Sequence, residues 1–157
     1  MAFHCYLDES FEASYVIAVA IIPASLVAPS RATLRNPRAP GARRFHTASE
    51  RPERRALALS ALGTIPAVYG IAEVAADVPR HERRSVALSA AIAFAVGRGV
   101  SRVVIERADA VDRQDRRAIF DALTQLEARG RVTYEFLRAH EEPLLWIPDV
   151  VAWHSAR

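Results

Sequence analysis

Three acidic residues stand out by the company they keep. Asp8 closes an otherwise apolar segment, Phe3-His4-Cys5-Tyr6-Leu7, and Glu106 closes another, Val103-Val104-Ile105. Asp149 lies inside Leu144–Trp153, the most hydrophobic stretch of the last 20 or so residues. A carboxylate set in apolar sequence must be solvated, hydrogen-bonded or bound to a cation, because burying it alone is costly. Three of them on three elements of one small sheet can converge. Convergent carboxylates repel, and a divalent metal is the usual remedy. The chemistry such a cluster supports is phosphodiester cleavage, in which two Mg2+ or Mn2+ ions about 4 Å apart activate a water and stabilise the leaving oxygen. The competing explanations are solvent-facing strand ends for Asp8 and Glu106, and for Asp149 a helix acid paired with a nearby Arg.

Other candidates sit around these three. His140, in His140-Glu141-Glu142, precedes the last apolar segment and is placed to shuttle a proton or assist product release at the rim of a site. Glu142 and Asp149 lie two helical turns apart, so both can face one way, which makes Glu142 a candidate outer metal ligand. Asp109 is a further candidate ligand. Asp112 and Asp115 are explained by helix capping and the helix dipole. His46 reads as a loop histidine beside a helix cap, His4 as a packed sheet residue on the Asp8 side, and Cys5 as core on the opposite side.

The elements that must position these residues follow from the apolar pattern. Ala2 to Leu7 reads as a strand with Asp8-Glu9-Ser10 as its polar end. Tyr15 to Ile22 is β-branched and continuously apolar, as in a central strand covered on both faces. The short polar link between them predicts an antiparallel hairpin. Ala24 to Leu34 is a short helix, and residues 36–44, with Pro37, Pro40 and Gly41, a mobile loop. Thr47-Ala-Ser-Glu50 has capping-box spacing and predicts a helix to about Leu62. Pro66 to Val74 is a strand. A helix from Pro79 to Val96 carries Val86, Ala90, Phe94 and Gly97 along one face and ends at Gly97 and Gly99. Arg102 to Ile105 is a strand. The next helix, capped by Asp112, carries Ile119, Leu123 and Leu126 and stops at Gly130. Val132 to Leu137 is a strand, and a last helix runs from near Pro143 through Trp153. The order β-β-α-α-β-α-β-α-β-α predicts one α/β domain over 1–157, a single mixed sheet flanked by helices.

Composition narrows the classes. The chain has 157 residues, 51% hydrophobic and 25% charged, which excludes disordered, collagenous and fibrous proteins. A single cysteine excludes a disulfide framework and a Cys-rich zinc site, and a reducing cytoplasm is the expected compartment. The opening residues lack the basic region of a signal peptide, and the longest apolar run is far short of the roughly 20 residues of a membrane span. The net charge is +3, and every basic side chain other than histidine is Arg. Codon bias in a GC-rich genome explains the bias; the clustering says more. Arg35, Arg38, Arg43 and Arg44 flank the Pro-rich loop, and Arg113, Arg116 and Arg117 open a helix. Guanidinium forks of this kind grip phosphates, so Arg43, Arg44, Arg113 and Arg116 are the candidate nucleic-acid contacts.

The strand end Tyr6-Leu7-Asp8-Glu9-Ser10, the strand end Val104-Ile105-Glu106 and the late helix Pro148-Asp149-Val150-Val151-Ala152-Trp153 together resemble the ribonuclease H-like superfamily. Within it they look most like the domain-of-unknown-function 3800 branch, with Pro148 in place of the usual small residue before the helix aspartate. The resemblance implies a mixed five-stranded sheet beginning with an antiparallel run and flanked by helices. It also implies Mg2+ or Mn2+ held by Asp8, Glu106 and Asp149, a loop histidine at His140, and RNA or an RNA–DNA hybrid as substrate. One departure is visible: the superfamily's fourth carboxylate, from the helix after the third strand, has no clear counterpart. Glu82 is the only acid there, and Asp109, Asp115, Glu9 and Glu142 are the possible substitutes. The alternatives are a non-catalytic module of the same fold that binds nucleic acid or protein, and a PIN-type ribonuclease, in which a helix normally follows the first strand. The exposed edge of such a sheet would also suit a homodimer.

Overall fold

The apolar run after residue 15 becomes the second strand of a five-stranded sheet. β1 (Phe3–Ser10) and β2 (Val16–Pro23) form an antiparallel hairpin, and β3 (Val68–Glu73) extends it antiparallel on the far side of β2. β4 (Val100–Glu106) lies parallel to β1, and β5 (Thr133–Leu137) parallel to β4, giving the order β3-β2-β1-β4-β5. The computed structural model describes residues 1–10, 14–35, 37 and 40–155. Positions 36, 38 and 39 of the predicted loop, including Arg38, lie outside the described residues. The mixed sheet with its antiparallel start is the one the sequence predicts, and the strand following β1 removes the PIN-type alternative.

Strand alternation sorts the core into two layers. Cys5, Leu7, Ile17, Val19, Val103 and Ile105 face α3 (Arg83–Gly97) and α4 (Asp112–Gln125). Tyr6, Ala20, Ile22 and Val104 face the other way, onto α1 (Val27–Arg35), α2 (Pro52–Leu62) and α5 (Trp146–Ser155). β2 and the middle of β1 and β4 are thus buried on both faces, which is why β2 reads as unbroken Val, Ile and Ala. Among the described residues no helix is long and apolar enough to cross a membrane. β3 is an open edge and exposes Val68, Tyr69 and Ile71, the surface any edge-to-edge pairing would use.

Several local expectations are corrected. Thr47 does not form a capping box: Thr47–Ser49 is a single 3-10 turn, and α2 starts at Pro52 with no side-chain cap. The Thr47 hydroxyl is spent on Asp149, a partner about a hundred residues away in sequence. Asp112 is the first residue of α4 rather than its cap, and it pairs with Arg116 one turn on. α3 begins at Arg83, and its buried stripe is Ala87, Leu88, Ala91, Ile92 and Ala95, while Val86 and Ala90 face solvent. So many small residues allow two stripes on this helix, and Leu88 and Ile92 decide which one packs. Phe94, on the flank of that stripe, reaches the sheet at Gly70, where a Cβ would lie 3.0 Å from its ring. Phe45, directly after the loop predicted over 36–44, is buried to 1% exposure in the core on the α1, α2 and α5 side.

Ile92, fully buried on the α3 side, offers a direct check on this packing. Ile92→Ala should cost about 2–5 kcal/mol, read as a lower urea midpoint at unchanged slope. A loss below about 0.5 kcal/mol, typical of surface sites, would place Ile92 outside the core.

Candidate functional site

Strand pairing brings the first two acids together. The last β1–β4 rung joins Leu7 to Ile105, so Asp8 and Glu106 are the next residues on adjacent parallel strands. Both follow the parity of Tyr6 and Val104 and therefore face the α5 side. α5 packs on this face through Trp146, Ile147 and Val150, and that stripe turns Asp149 toward the same spot. Asp8, Glu106 and Asp149 line one cavity of about 350 Å3 with Glu9, Arg44, His46 and Arg84, over a floor that includes Leu7, Ile17, Leu88 and Ile105. Asp8 and Asp149 are buried, with 8% and 9% of their surfaces exposed.

Glu106 and Asp149 have their charges met by basic side chains, and Asp8 does not. Asp8 Oδ1 accepts from the Glu9 amide at 2.8 Å. Burial, the neighbouring Glu106 carboxyl to which it hydrogen-bonds, and the Asp149 charge hold the Asp8 pKa well above its ordinary value. Arg44 Nη1 donates to Glu106 Oε1 at 3.1 Å. Asp149 Oδ2 accepts from the Thr47 amide at 2.8 Å and from its hydroxyl at 2.9 Å, and Oδ1 faces His46 Nδ1 at 3.4 Å. Burial pushes Asp149 up, but the His46 and Thr47 contacts outweigh it and hold its pKa below the ordinary value. His46 is raised in turn, chiefly by its hydrogen bond to Asp149.

Oxygen donors of this kind suit a hard divalent cation such as Mg2+ or Mn2+. The donor set tests the fit: Asp8, Glu106 and Asp149 line one cavity, and a cation placed among them would relieve their mutual repulsion. The donor chemistry therefore fits. The side-chain positions are those of a site neutralised from within, since among the described residues no three His, Cys, Asp or Glu side chains are grouped to hold a metal ion. Arg44 pairs with Glu106, and His46 and Thr47 pair with Asp149.

The remaining candidates fall elsewhere. His140 is exposed in a turn and does not line the cavity. Glu142 is buried, but on Arg31, in a two-pronged pair at 2.9 and 2.6 Å. It also caps the 3-10 turn Pro143–Leu145 by accepting from the Leu144 amide. That turn breaks the helical register assumed between Glu142 and Asp149. Asp109 is exposed and bound by Arg107 and Arg138. Arg44 lies in the site itself, Arg116 pairs with Asp112 and stacks on Phe136, and Arg43 and Arg113 face solvent. The residues sequence reasoning undervalued are His46 and Thr47. The available signal was their place directly after Arg43-Arg44-Phe45, a loop with one large apolar residue to anchor it.

Sheet order and helix placement are those of a ribonuclease H-like α/β fold. Among solved structures the chain is similar to the ribonuclease of the PCNA:RNase HII complex from Archaeoglobus fulgidus, with a TM-score of 0.65 at 12% sequence identity over 98% of this chain and 72% of that one. No protein-family profile matches the sequence, and no curated protein matches it.

The crowding at Asp8 makes stability depend on pH. Unfolded, this carboxyl titrates near its ordinary 3.8, and folded it titrates higher. The folded chain therefore holds the proton to higher pH, and the group's contribution, full below the unfolded value, is lost as pH rises through the folded one. Asp8→Asn removes that loss. The variant should be more stable than wild type at pH 8 by about 1 kcal/mol or more, with the difference closing toward pH 4. Equal urea midpoints at both pH values would show that Asp8 is not crowded.

Proposed function

We propose that the chain is a divalent-metal-dependent nuclease that hydrolyses phosphodiester bonds in RNA or an RNA–DNA hybrid. The observation that carries this reading is the meeting of three carboxylates, from β1, β4 and α5, in one cavity of a ribonuclease H-like fold. Asp8, Glu106 and Asp149 would hold Mg2+ or Mn2+, which when bound supplies an activated water and stabilises the leaving oxygen. Arg44, which pairs with Glu106 at the cavity wall, would offer a guanidinium to a phosphate there. His46, half-exposed and oriented by Asp149, is the proton-handling side chain of the site in the place the sequence suggested for His140. The exposed Arg43 and Arg113 would meet the nucleic-acid backbone farther out.

One observation favours a second reading, a non-catalytic module that binds nucleic acid or protein: Glu106 and Asp149 already have partners in Arg44, His46 and Thr47. The two readings separate in a cleavage assay. With Mn2+, wild type should cut labelled RNA or hybrid, and Asp8→Asn should lose about a hundredfold or more of the rate. Equal rates in the two proteins would remove the assignment. Mn2+ at about a hundred times its dissociation constant should also stabilise wild type by about 2.7 kcal/mol, read as a rise in the melting midpoint that Asp8→Asn does not show. A module without a metal site shows neither effect.

A further inference from the structure

Three arginines close together in the sequence, Arg80, Arg83 and Arg84, form a basic cluster that the carboxylate site leaves unexplained. All three line a cleft of about 760 Å3 beside the carboxylate cavity. Glu9, Arg84 and Ala108 line both spaces, so the two meet at that partition.

The three guanidinium groups differ in what holds them. Arg84 has its charge met: Glu9 accepts from Nη1, and the fully buried Asp115 accepts from Nε at 2.7 Å and Nη2 at 2.8 Å. Arg83 is half-buried and is held by neutral groups alone. Its Nε donates to the Val78 carbonyl and its Nη2 to the Ala76 carbonyl, both at 2.8 Å. Backbone carbonyls fix the direction of the fork without cancelling its charge. Arg80 is exposed just before α3, and among the described residues neither it nor Arg83 forms an ion pair. Glu9, already bound to Arg84, is the only acid among the described residues that line the cleft. The cleft therefore carries positive charge that nothing in the described chain answers. An anion with several oxygens, such as a phosphate, suits a guanidinium presented in this way.

We propose that this cleft is a phosphate subsite for the nucleic-acid strand that enters the carboxylate cavity, with Arg83 as its fixed contact and Arg80 as its outer one. The strand crosses the Glu9–Arg84 partition, with one phosphate on the carboxylate side and a later one on the arginine side. The identity of the ligand rests on the nuclease reading above, but the subsite needs no metal ion and is measured without one.

The test is the binding of a labelled single-stranded RNA to the full chain in EDTA, followed by fluorescence anisotropy over a series of salt concentrations. Wild type should bind, and its affinity should fall as salt rises. Arg80 has no hydrogen bond or ion pair to lose, so Arg80→Gln tests the subsite without disturbing the fold. It should lower the slope of log affinity against log salt by about 0.7, the value of one single-strand phosphate contact. Arg80→Gln/Arg83→Gln should lower it by about 1.4 and weaken binding about tenfold. Arg129→Gln makes the same charge change beyond the far end of α4, a helix about 21 Å long, and should leave the slope as it is. An unchanged slope in Arg80→Gln, an equal drop in Arg129→Gln, or no RNA binding by wild type at low salt would overturn the subsite. Polyglutamate competing as well as unlabelled RNA would make the occupant an acidic protein and overturn it too. RNA binding that depends on Arg80, in a chain that does not cleave with Mn2+, would overturn the nuclease reading and keep the subsite. Mn2+-dependent cleavage with the same KM in wild type and Arg80→Gln would do the reverse.

Discussion

Like charge held at close quarters governs this molecule. Asp8 and Glu106 are adjacent on parallel strands and Asp149 lines the same cavity from α5, over an apolar floor. Water cannot fully screen such a group, so other charges and hydrogen bonds must be brought to it. The loop between α1 and α2 does this. Arg44 answers Glu106, His46 and Thr47 answer Asp149, and Phe45 between them is buried in the core and keeps the loop in place. Asp8, which has no ion pair with a basic side chain among the described residues, has its pKa pushed up by burial and by the Glu106 and Asp149 carboxyls.

Topology decides that the acids meet at all. Parallel pairing of β1 and β4 puts the carboxyl ends of both strands at one edge of the sheet, side by side and on one face. An antiparallel pairing would have set them at opposite ends. β2 contributes by being apolar throughout: buried on both faces, it fixes the register of β1 from the other side, pairing Asp8 with Ala18. Ala18 is small, and Ala152 of α5 packs beside it, so the helix comes close enough to the sheet for Asp149 to reach the cavity.

The sharing of one cavity by the three acids was legible because Asp8 and Glu106 each end an apolar strand and Asp149 sits within an apolar helix. The sheet was legible for a related reason, since strands covered on both faces cannot hide their composition. His46 and Thr47 left no such mark. Their role depends on a loop crossing to a helix about a hundred residues further along the chain, and local spacing reads Thr47 as an ordinary helix cap. Glu142 misled in the opposite way. Its spacing from Asp149 is helical, yet Pro143 opens a 3-10 turn that rotates it onto Arg31. Alternation and capping rules describe neighbours in sequence, and the charge pairs of this site are between residues far apart.

The Glu9–Arg84–Asp115 group follows from the same constraint as the cavity it borders. A buried ion pair is weak as a source of net stability, because desolvation consumes most of its attraction. Its effect here is on position. Arg84 ties β1, α3 and α4 together through Glu9 and Asp115, on the face of β1 opposite to Asp8. Were Glu9 free, a fourth negative charge would join the crowded edge and raise the cost of keeping Asp8, Glu106 and Asp149 together. The arginine thus neutralises a further carboxylate that reaches the cavity.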